Sequence, residues 1–568
     1  MRPFFKRYGW RYIPGFALLI LGTWIRTRSP LALGSAIELA STQDWTAFAQ
    51  QVWLILYIAL GVFVTQFSWR YFIIGNSREL EIYLRDRLYD HLAFLPVRFY
   101  GENRSGDLMA HAVNDVGMVR MMFGMVVAQI FNAIAMITFS VREMGVLDST
   151  LTLIALAPIP FAIVAVLFIG RKIQRHSRRV QELFATVSGH VQENINGMRV
   201  LKAFAQEKAQ YQSLEIESDE KRLANMRLYN TGNLLQPVIQ LVFGISYMVG
   251  LVYGGQLVLN GTIELSGYIA FNTYLTFIVF PVTSIGRISN MLQRGLASYK
   301  RLNTLMLVPE TSEFDREPDG VPIGGSIEAR GLSYTYEDST TPAVKDLSFS
   351  IPEGGVLGIA GPTGGGKSTV MMLLTKLLIP HRGELFIDGR DIIDIPAASI
   401  RQAAGYVPQD GFLFNETLRD NIDFFTGASD EVINKAVDAA GLRADVDEMP
   451  DGLNTMAGER GNHLSGGQRQ RTALARALVR KPHILLLDDT LSAVDAYTEA
   501  RILSSLKEEL AGRTAVIVSH KLSAITEADH ILYMDQGEII EQGTHDQLMA
   551  RNGAYASVYH TQTEEAKP

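Results

Sequence analysis

The chain has 568 residues, of which 47% are hydrophobic and 20% charged, with a formal net charge of −7. That mixture suggests two unlike halves, one apolar and one ordinary, divided among about three or four domain-sized units. The charge argues against a nucleic-acid-binding surface, and the absence of cysteine rules out disulfides and thiolate metal sites while leaving the redox compartment open.

The N-terminus is basic, and no small-residue cleavage site follows its first apolar run, so no removable signal peptide is read there. Six apolar stretches follow, each near the ~20 residues that cross a bilayer. They lie at Ile13–Gly34, Val52–Ile74, Met118–Phe139, Leu151–Ile169, Leu234–Leu257 and Gly267–Ile285. The first is compromised by Arg26, Arg28 and Pro30. A cation inside a span costs about 2.5 kcal/mol or more unless it is paired or solvated. Two readings of Arg26 and Arg28 stay open: a water-filled substrate path favouring anionic groups, or snorkelling and pairing with an acid such as Glu38. Pro158, Pro160 and Pro281 read as kinks.

Loop charge sets an orientation. Arg2, Lys6, Arg7 and Arg11 precede the first stretch, whereas Ser41–Gln51 and Asn260–Glu264 carry no Lys or Arg. The long segments Ser77–Gly117 and Gly170–Asn230 are basic-rich, with Arg85, Arg87, Arg171, Lys172, Arg175, Arg178 and Arg179. The N-terminus and both long segments are therefore expected on the cytoplasmic side of the cell membrane. Their apolar residues recur at helical spacing, so membrane helices should continue into the cytoplasm, with tips near Gly101–Gly106 and Phe204–Tyr211.

Residues 1–308 thus read as a membrane domain and Pro309–Gly325, polar and rich in Pro and Gly, as a linker. Residues 326–568 alternate apolar strands with helices, as an α/β nucleotide-binding domain does. Within them, GPTGGGKST (Gly361–Thr369) sits between two apolar runs and matches G-x-x-x-x-G-K-S through Gly361, Gly366, Lys367 and Ser368. Glycines such as Gly364 let backbone N–H groups, with those of Thr363 and Thr369, turn around phosphate oxygens at a helix N-terminus. Lys367 can reach the β/γ-phosphates and the Ser368 hydroxyl can ligate Mg²⁺. HILLLDD (His483–Asp489) is a buried strand delivering Asp488 to that metal. Gln409, after a strand, can ligate Mg²⁺ or position water. His520, ending the strand TAVIVSH, is a γ-phosphate sensor candidate or a structural histidine. Tyr336 can stack on adenine or pack as a buried aromatic. In LSGGQRQR, Ser465 can cap a helix and Gly466 and Gly467 allow close approach, a second anion-binding device suited to a partner's nucleotide.

With these residues in place the chain resembles an ATP-binding cassette (ABC) exporter of the half-transporter kind, a six-span helical membrane domain followed by a P-loop α/β domain. The resemblance assigns Walker A to Gly361–Thr369, the Q-loop to Gln409, the signature to Leu464, Ser465, Gly466, Gly467 and Gln468, Walker B to Ile484–Asp488, the D-loop to Ser492–Asp495 and the switch to His520. TMAGERG (Thr455–Gly461) is similar to the loop that links such cassettes to intracellular loops, and GENRSGDLMAHAVNDV and AFAQEKAQY to coupling-helix regions. It implies ATP and Mg²⁺ as cofactors, a second half-transporter as partner, a lipid bilayer, and a hydrophobic or amphipathic substrate such as a drug or lipid.

One position departs from the pattern. The residue after Walker B is usually a glutamate that polarises the attacking water, and here it is Asp489. With LSGGQ intact, this resembles one half of a heterodimeric exporter whose own Walker motifs form a slow site. An active homodimer using Asp489, and an ATP-gated channel or regulatory sensor on the same scaffold, are the alternatives.

Overall fold

A computed structural model describes residues 1–310, 317–337, 339–490, 502, 504 and 512–565. The chain divides into two compact units, residues 1–93 with 99–309, and residues 94–98 with 310–568.

The first unit is helical. Among the described residues five helices are long and apolar enough to cross a membrane: Trp45–Ala93, Ser105–Leu147, Ser149–Asn196, Glu207–Leu259 and Leu265–Leu305. The 49 residues of Trp45–Ala93 run about 73 Å at 1.5 Å per residue, far beyond one bilayer. The expected continuation of membrane helices past their apolar segments is therefore present. The predicted tips are real interruptions: the backbone leaves the helix at residues 94–96 and 103–104, and again at 204–206.

The first apolar stretch differs from the expectation of one continuous span. It forms two helices, Tyr12–Arg26 and Ser29–Ser41, neither of which reaches the length of a full span alone. Pro30 has no N–H to give to the Arg26 carbonyl, and the Ser29 hydroxyl donates to that carbonyl instead, at 2.9 Å. The Thr27 carbonyl, freed by the same break, accepts from the buried Tyr274 hydroxyl at 2.7 Å. Pro158 lies in the break between Ser149–Leu156 and Ile159–Asn196, while Pro281 stays inside Leu265–Leu305.

The partners of the two arginines also differ from expectation. Arg28 lies 3.6 Å from Glu143, and Arg26 stacks over the Phe277 ring at 5.1 Å. Glu38 instead accepts from the Ser266 backbone N–H at 3.3 Å. Of the two arginines, Arg28 thus faces an acid on Ser105–Leu147 and not Glu38, while Arg26 faces an aromatic ring. Tyr274→Phe should leave the Thr27 carbonyl without its donor and cost about 1–3 kcal/mol. A lowered thermal unfolding midpoint of the purified protein, with unaltered nucleotide binding, is the expected measurement.

The second unit is built on two sheets. One is antiparallel with strand order β2-β1-β4-β5: β1 (Ile327–Tyr334), β2 (Val344–Ile351), β4 (Leu385–Ile387) and β5 (Arg390–Asp391). The other has order β10-β9-β3-β8-β7-β6, with β3 (Val356–Ala360), β6 (Ala404–Val407), β7 (Ile484–Asp488), β8 (Thr514–Val518), β9 (His530–Asp535) and β10 (Glu538–Gly543). Strands β9, β3, β8, β7 and β6 are parallel, and β10 closes one edge antiparallel. Every residue of β7 and β8 is buried, as their uninterrupted apolar sequences require of strands covered on both faces. The register pairs Ile359 and Asp488 with the same residue, Val518, so β3, β7 and β8 end level with one another. Loops leaving those three ends share one edge of the sheet, where ligands bind in open α/β sheets.

Candidate nucleotide-binding site

The loop leaving β3 carries the glycine run into the helix Lys367–Leu374. Gly366 caps that helix with φ +89°, a left-handed conformation that only glycine adopts freely. A Cβ there would lie 2.3 Å from the Ala343 carbonyl oxygen, and one at Gly361 would lie 1.9 Å from that of Met534. Gly366→Ala should therefore distort the loop and lower nucleotide affinity at least tenfold, read by equilibrium binding of a fluorescent ATP analogue.

A cleft of about 340 Å³ opens over the loop, lined by Tyr336, Thr363, Gly364, Gly366, Lys367, Ser368, Thr369, Gln409, Asp488, Asp489 and His520. The site residues expected at the ends of β3, β6, β7 and β8 are thus brought together. Gly361 sits beneath, its carbonyl and that of Pro362 accepting from the Lys367 ammonium at 2.8 and 2.7 Å. Burial holds the Lys367 pKa below the usual lysine range, and the charges of Asp489 and Asp488 oppose that shift. Tyr336 lines the cleft half-buried, with its hydroxyl 3.2 Å from that of Thr369.

Asp488 is buried at the end of β7, and burial raises its carboxyl pKa. A hydrogen bond from Ser368 works against that, and the neighbouring Asp489 charge adds to it. A buried carboxylate beside a hydroxyl is a hard oxygen donor pair, which suits Mg²⁺ completed by phosphate oxygens. Among the described residues there is no cluster of three or more His, Cys, Asp or Glu able to hold a metal by itself.

Asp489 has φ +50°, a left-handed conformation that Asp tolerates better than most residues. Its carboxylate accepts from Gln409 Nε2 and from the His520 backbone N–H, both at 3.4 Å, and its own N–H donates to Val518 at 2.9 Å. Asp489 is therefore drawn between the Q-loop and the switch residue. A residue absent from the expectations joins it: Gln470, buried on the helix Gly466–Val479, donates from Nε2 to the Asp489 carbonyl at 3.4 Å. A glutamine inside RQR reads as helix surface, so nothing local marks it.

The signature stands apart from this cleft. Ser465 caps Gly466–Val479 in a capping box, its hydroxyl accepting from the Gln468 N–H at 3.2 Å while Gln468 Oε1 accepts from the Ser465 N–H at 2.9 Å. Gln468 Nε2 is further tied to Asp445 at 3.1 Å. Leu464 is buried, Ser465 is exposed, and Gly466 and Gly467 open the helix; none of Leu464–Gln468 lines the cleft. The D-loop residue Asp495 lies outside the described residues.

A phosphate loop facing paired aspartates at parallel strand ends defines a P-loop ATP-binding domain, here fused to a helical membrane domain. The chain belongs to the ABC transporter family. Residues 12–282 match the family model described as ABC transporter transmembrane region, and residues 344–492 the one described as ABC transporter. A probable multidrug resistance ABC transporter ATP-binding/permease protein of Bacillus subtilis, YheI, is 35% identical across 98% of this chain and 96% of its own length. The multidrug resistance-like ATP-binding protein MdlA of Escherichia coli is 31% identical, covering 99% and 96%. An ATP-dependent lipid A-core flippase of Photobacterium profundum is 30% identical, covering 86% and 83%. The structure of a bacterial Atm1-family ABC exporter with ATP bound superposes with a TM-score of 0.78 at 24% identity, covering 99% of this chain and all of that one. The fold is that of a type IV ABC exporter, and the domain hydrolyses ATP to drive transport.

Proposed function

We propose that this chain is one half of a dimeric exporter that moves hydrophobic or amphipathic compounds, drugs or lipids, outward by alternating access. The multidrug and flippase relatives support the substrate class. The basic loops support a cytoplasmic N-terminus and nucleotide-binding domain in the cell membrane. Each ATP would lie between the Gly361–Thr369 loop of one chain and Leu464–Gln468 of the other. The exposed Ser465 cap, pre-formed yet remote from its own chain's cleft, favours that arrangement.

Mg²⁺ would be held by Ser368, Gln409 and Asp488, and when bound it neutralises charge on the phosphates. Lys367 would exchange its loop carbonyls for phosphate oxygens, Thr363, Gly364, Gly366 and Thr369 would donate backbone N–H groups, and Tyr336 would face the adenine. His520 would contact the γ-phosphate, and Asp495 would reach across the dimer. Arg26 and Arg28 are read as holding the helix break through Phe277 and Glu143, with a substrate path as the alternative role.

The observation that carries the finer reading is Asp489, one methylene short and shared between Gln409 and the His520 backbone. This chain's Walker motifs would then bind ATP and hydrolyse it slowly, while its signature completes a faster site on a partner that carries glutamate. ATP-dependent uptake of a fluorescent amphiphile into inside-out vesicles tests the exporter reading. Uptake that needs a co-expressed second half-transporter supports the heterodimer, and full uptake by this chain alone supports a homodimer. Ion flux without matching ATP turnover would overturn the pump.

A further inference from the structure

The first eleven residues hold Arg2, Lys6, Arg7 and Arg11, and no acid occurs before Glu38. The short helix Arg2–Tyr8 is fastened by its apolar side: Phe4 is buried with its ring 5.5 Å from that of Tyr83, and the Phe5 ring is 5.1 Å from Phe123. That anchoring leaves Arg2, Lys6 and Arg7 exposed and Arg11 half-buried. Among the described residues none of the four has a carboxylate within 4.0 Å. Glu79 and Asp86 line the shallow cleft beside Arg7 without reaching it.

Two of these cations share one ring. The Arg7 and Arg11 guanidiniums sit 5.3 and 5.2 Å from the centroid of Tyr8. The ring's π-face attracts each of them, yet it also gathers two like charges with no anion in between. Next to them Trp10 is 61% exposed and Ile13 72% exposed, large apolar groups facing outward where the chain enters the apolar helix Tyr12–Arg26. Cations beside an exposed tryptophan at the foot of a membrane helix match a surface that is anionic in its headgroups and apolar just beneath them.

We propose that residues 2–13 form a binding surface for anionic phospholipid, with Arg7 and Arg11 holding the lipid phosphate beside Tyr8 and with Trp10 and Ile13 entering the acyl boundary. Arg2 and Lys6 add charge that concentrates such lipids around the site. The proposal rests on the reading that this end of the chain lies at a membrane face. It does not depend on what the exporter moves or on which ATP site is fast.

The test uses the full-length protein in nanodiscs containing equal fractions of phosphatidylcholine and phosphatidylglycerol, with either one lipid or the other brominated. The Trp10 contribution to fluorescence is isolated by difference from Trp10→Phe. Each cation near an anionic surface is worth about fivefold in local lipid concentration. Quenching at Trp10 should therefore favour brominated phosphatidylglycerol at least twofold. Arg7→Gln/Arg11→Gln should cut that preference by at least half, leaving the part that Arg2 and Lys6 supply, and Arg7→Lys/Arg11→Lys should restore it, which separates loss of charge from loss of fold. Equal quenching by the two lipids in the parent, or a preference that is undiminished in the glutamine pair, would overturn the proposal. Either result leaves the exporter reading standing, because no step of the measurement uses ATP.

Discussion

Lys367→Ala is expected to lower ATP turnover by about 10²–10³-fold, the usual loss when one preorganised donor to a developing negative charge is removed. The ammonium is buried in the floor of the cleft, fixed by the Gly361 and Pro362 carbonyls at 2.8 and 2.7 Å. When a triphosphate arrives the ammonium exchanges these carbonyls for phosphate oxygens, so it stays buried and hydrogen-bonded and its charge acts on the transition state at close range. The substitution also removes a cation whose charge lowers the Asp488 pKa. That carboxyl, already raised by burial, should rise further, so a larger share is protonated at a given pH and metal binding weakens. The sign follows directly: the variant's residual activity should fall at a higher pH than the parent's as the solution is acidified. A pH profile of ATP hydrolysis on both proteins checks this, and parent-like turnover in the variant would remove Lys367 from the site.

Much of that cleft was legible in the sequence because each part of it is local. A glycine run between two apolar stretches specifies strand, turn and helix within a dozen residues, and HILLLDD specifies a buried strand with acids at its end. What places Gln409, Asp488 and His520 over Lys367 is the parallel register of β3, β8, β7 and β6, which α/β alternation implies without fixing strand order. Contacts between distant residues were not legible. Tyr274 donating to Thr27 joins residues 247 apart, and Arg28 meets Glu143 although Glu38 is nearer in sequence. Charge and proline content marked the first apolar stretch as irregular, and Pro30 sets where it breaks; only the packing against distant helices decides which acid serves Arg28. Gln470 was missed for the same reason, since its amide is spent on a carbonyl that the sequence places 19 residues away.

Asp489→Glu should raise hydrolysis at this chain's own Walker site by tenfold or more, measured by vanadate trapping of nucleotide assigned to this chain in the assembled exporter. The extra methylene extends the carboxylate by about 1.5 Å. That lets it reach beyond the position shared between Gln409 and the His520 N–H, in a cleft that Ser368 and Lys367 also line. Correct placement of a general base is worth about 10²–10⁴ in rate, or about 3–5 kcal/mol of barrier. Against this stands a backbone cost. The residue holds φ +50°, a conformation that glutamate adopts less readily than aspartate, a penalty of up to about 1–2 kcal/mol. The penalty falls on folding stability, because ground and transition states share that backbone, so it lowers the unfolding midpoint without cancelling the gain in rate. Asp489→Asn completes the argument. It keeps the shape and the left-handed backbone while removing the charge, so a site that hydrolyses slowly should lose less than about twofold of the exporter's total turnover. A loss of about 10² or more would instead make Asp489 the working base, and the exporter a pair of equal sites.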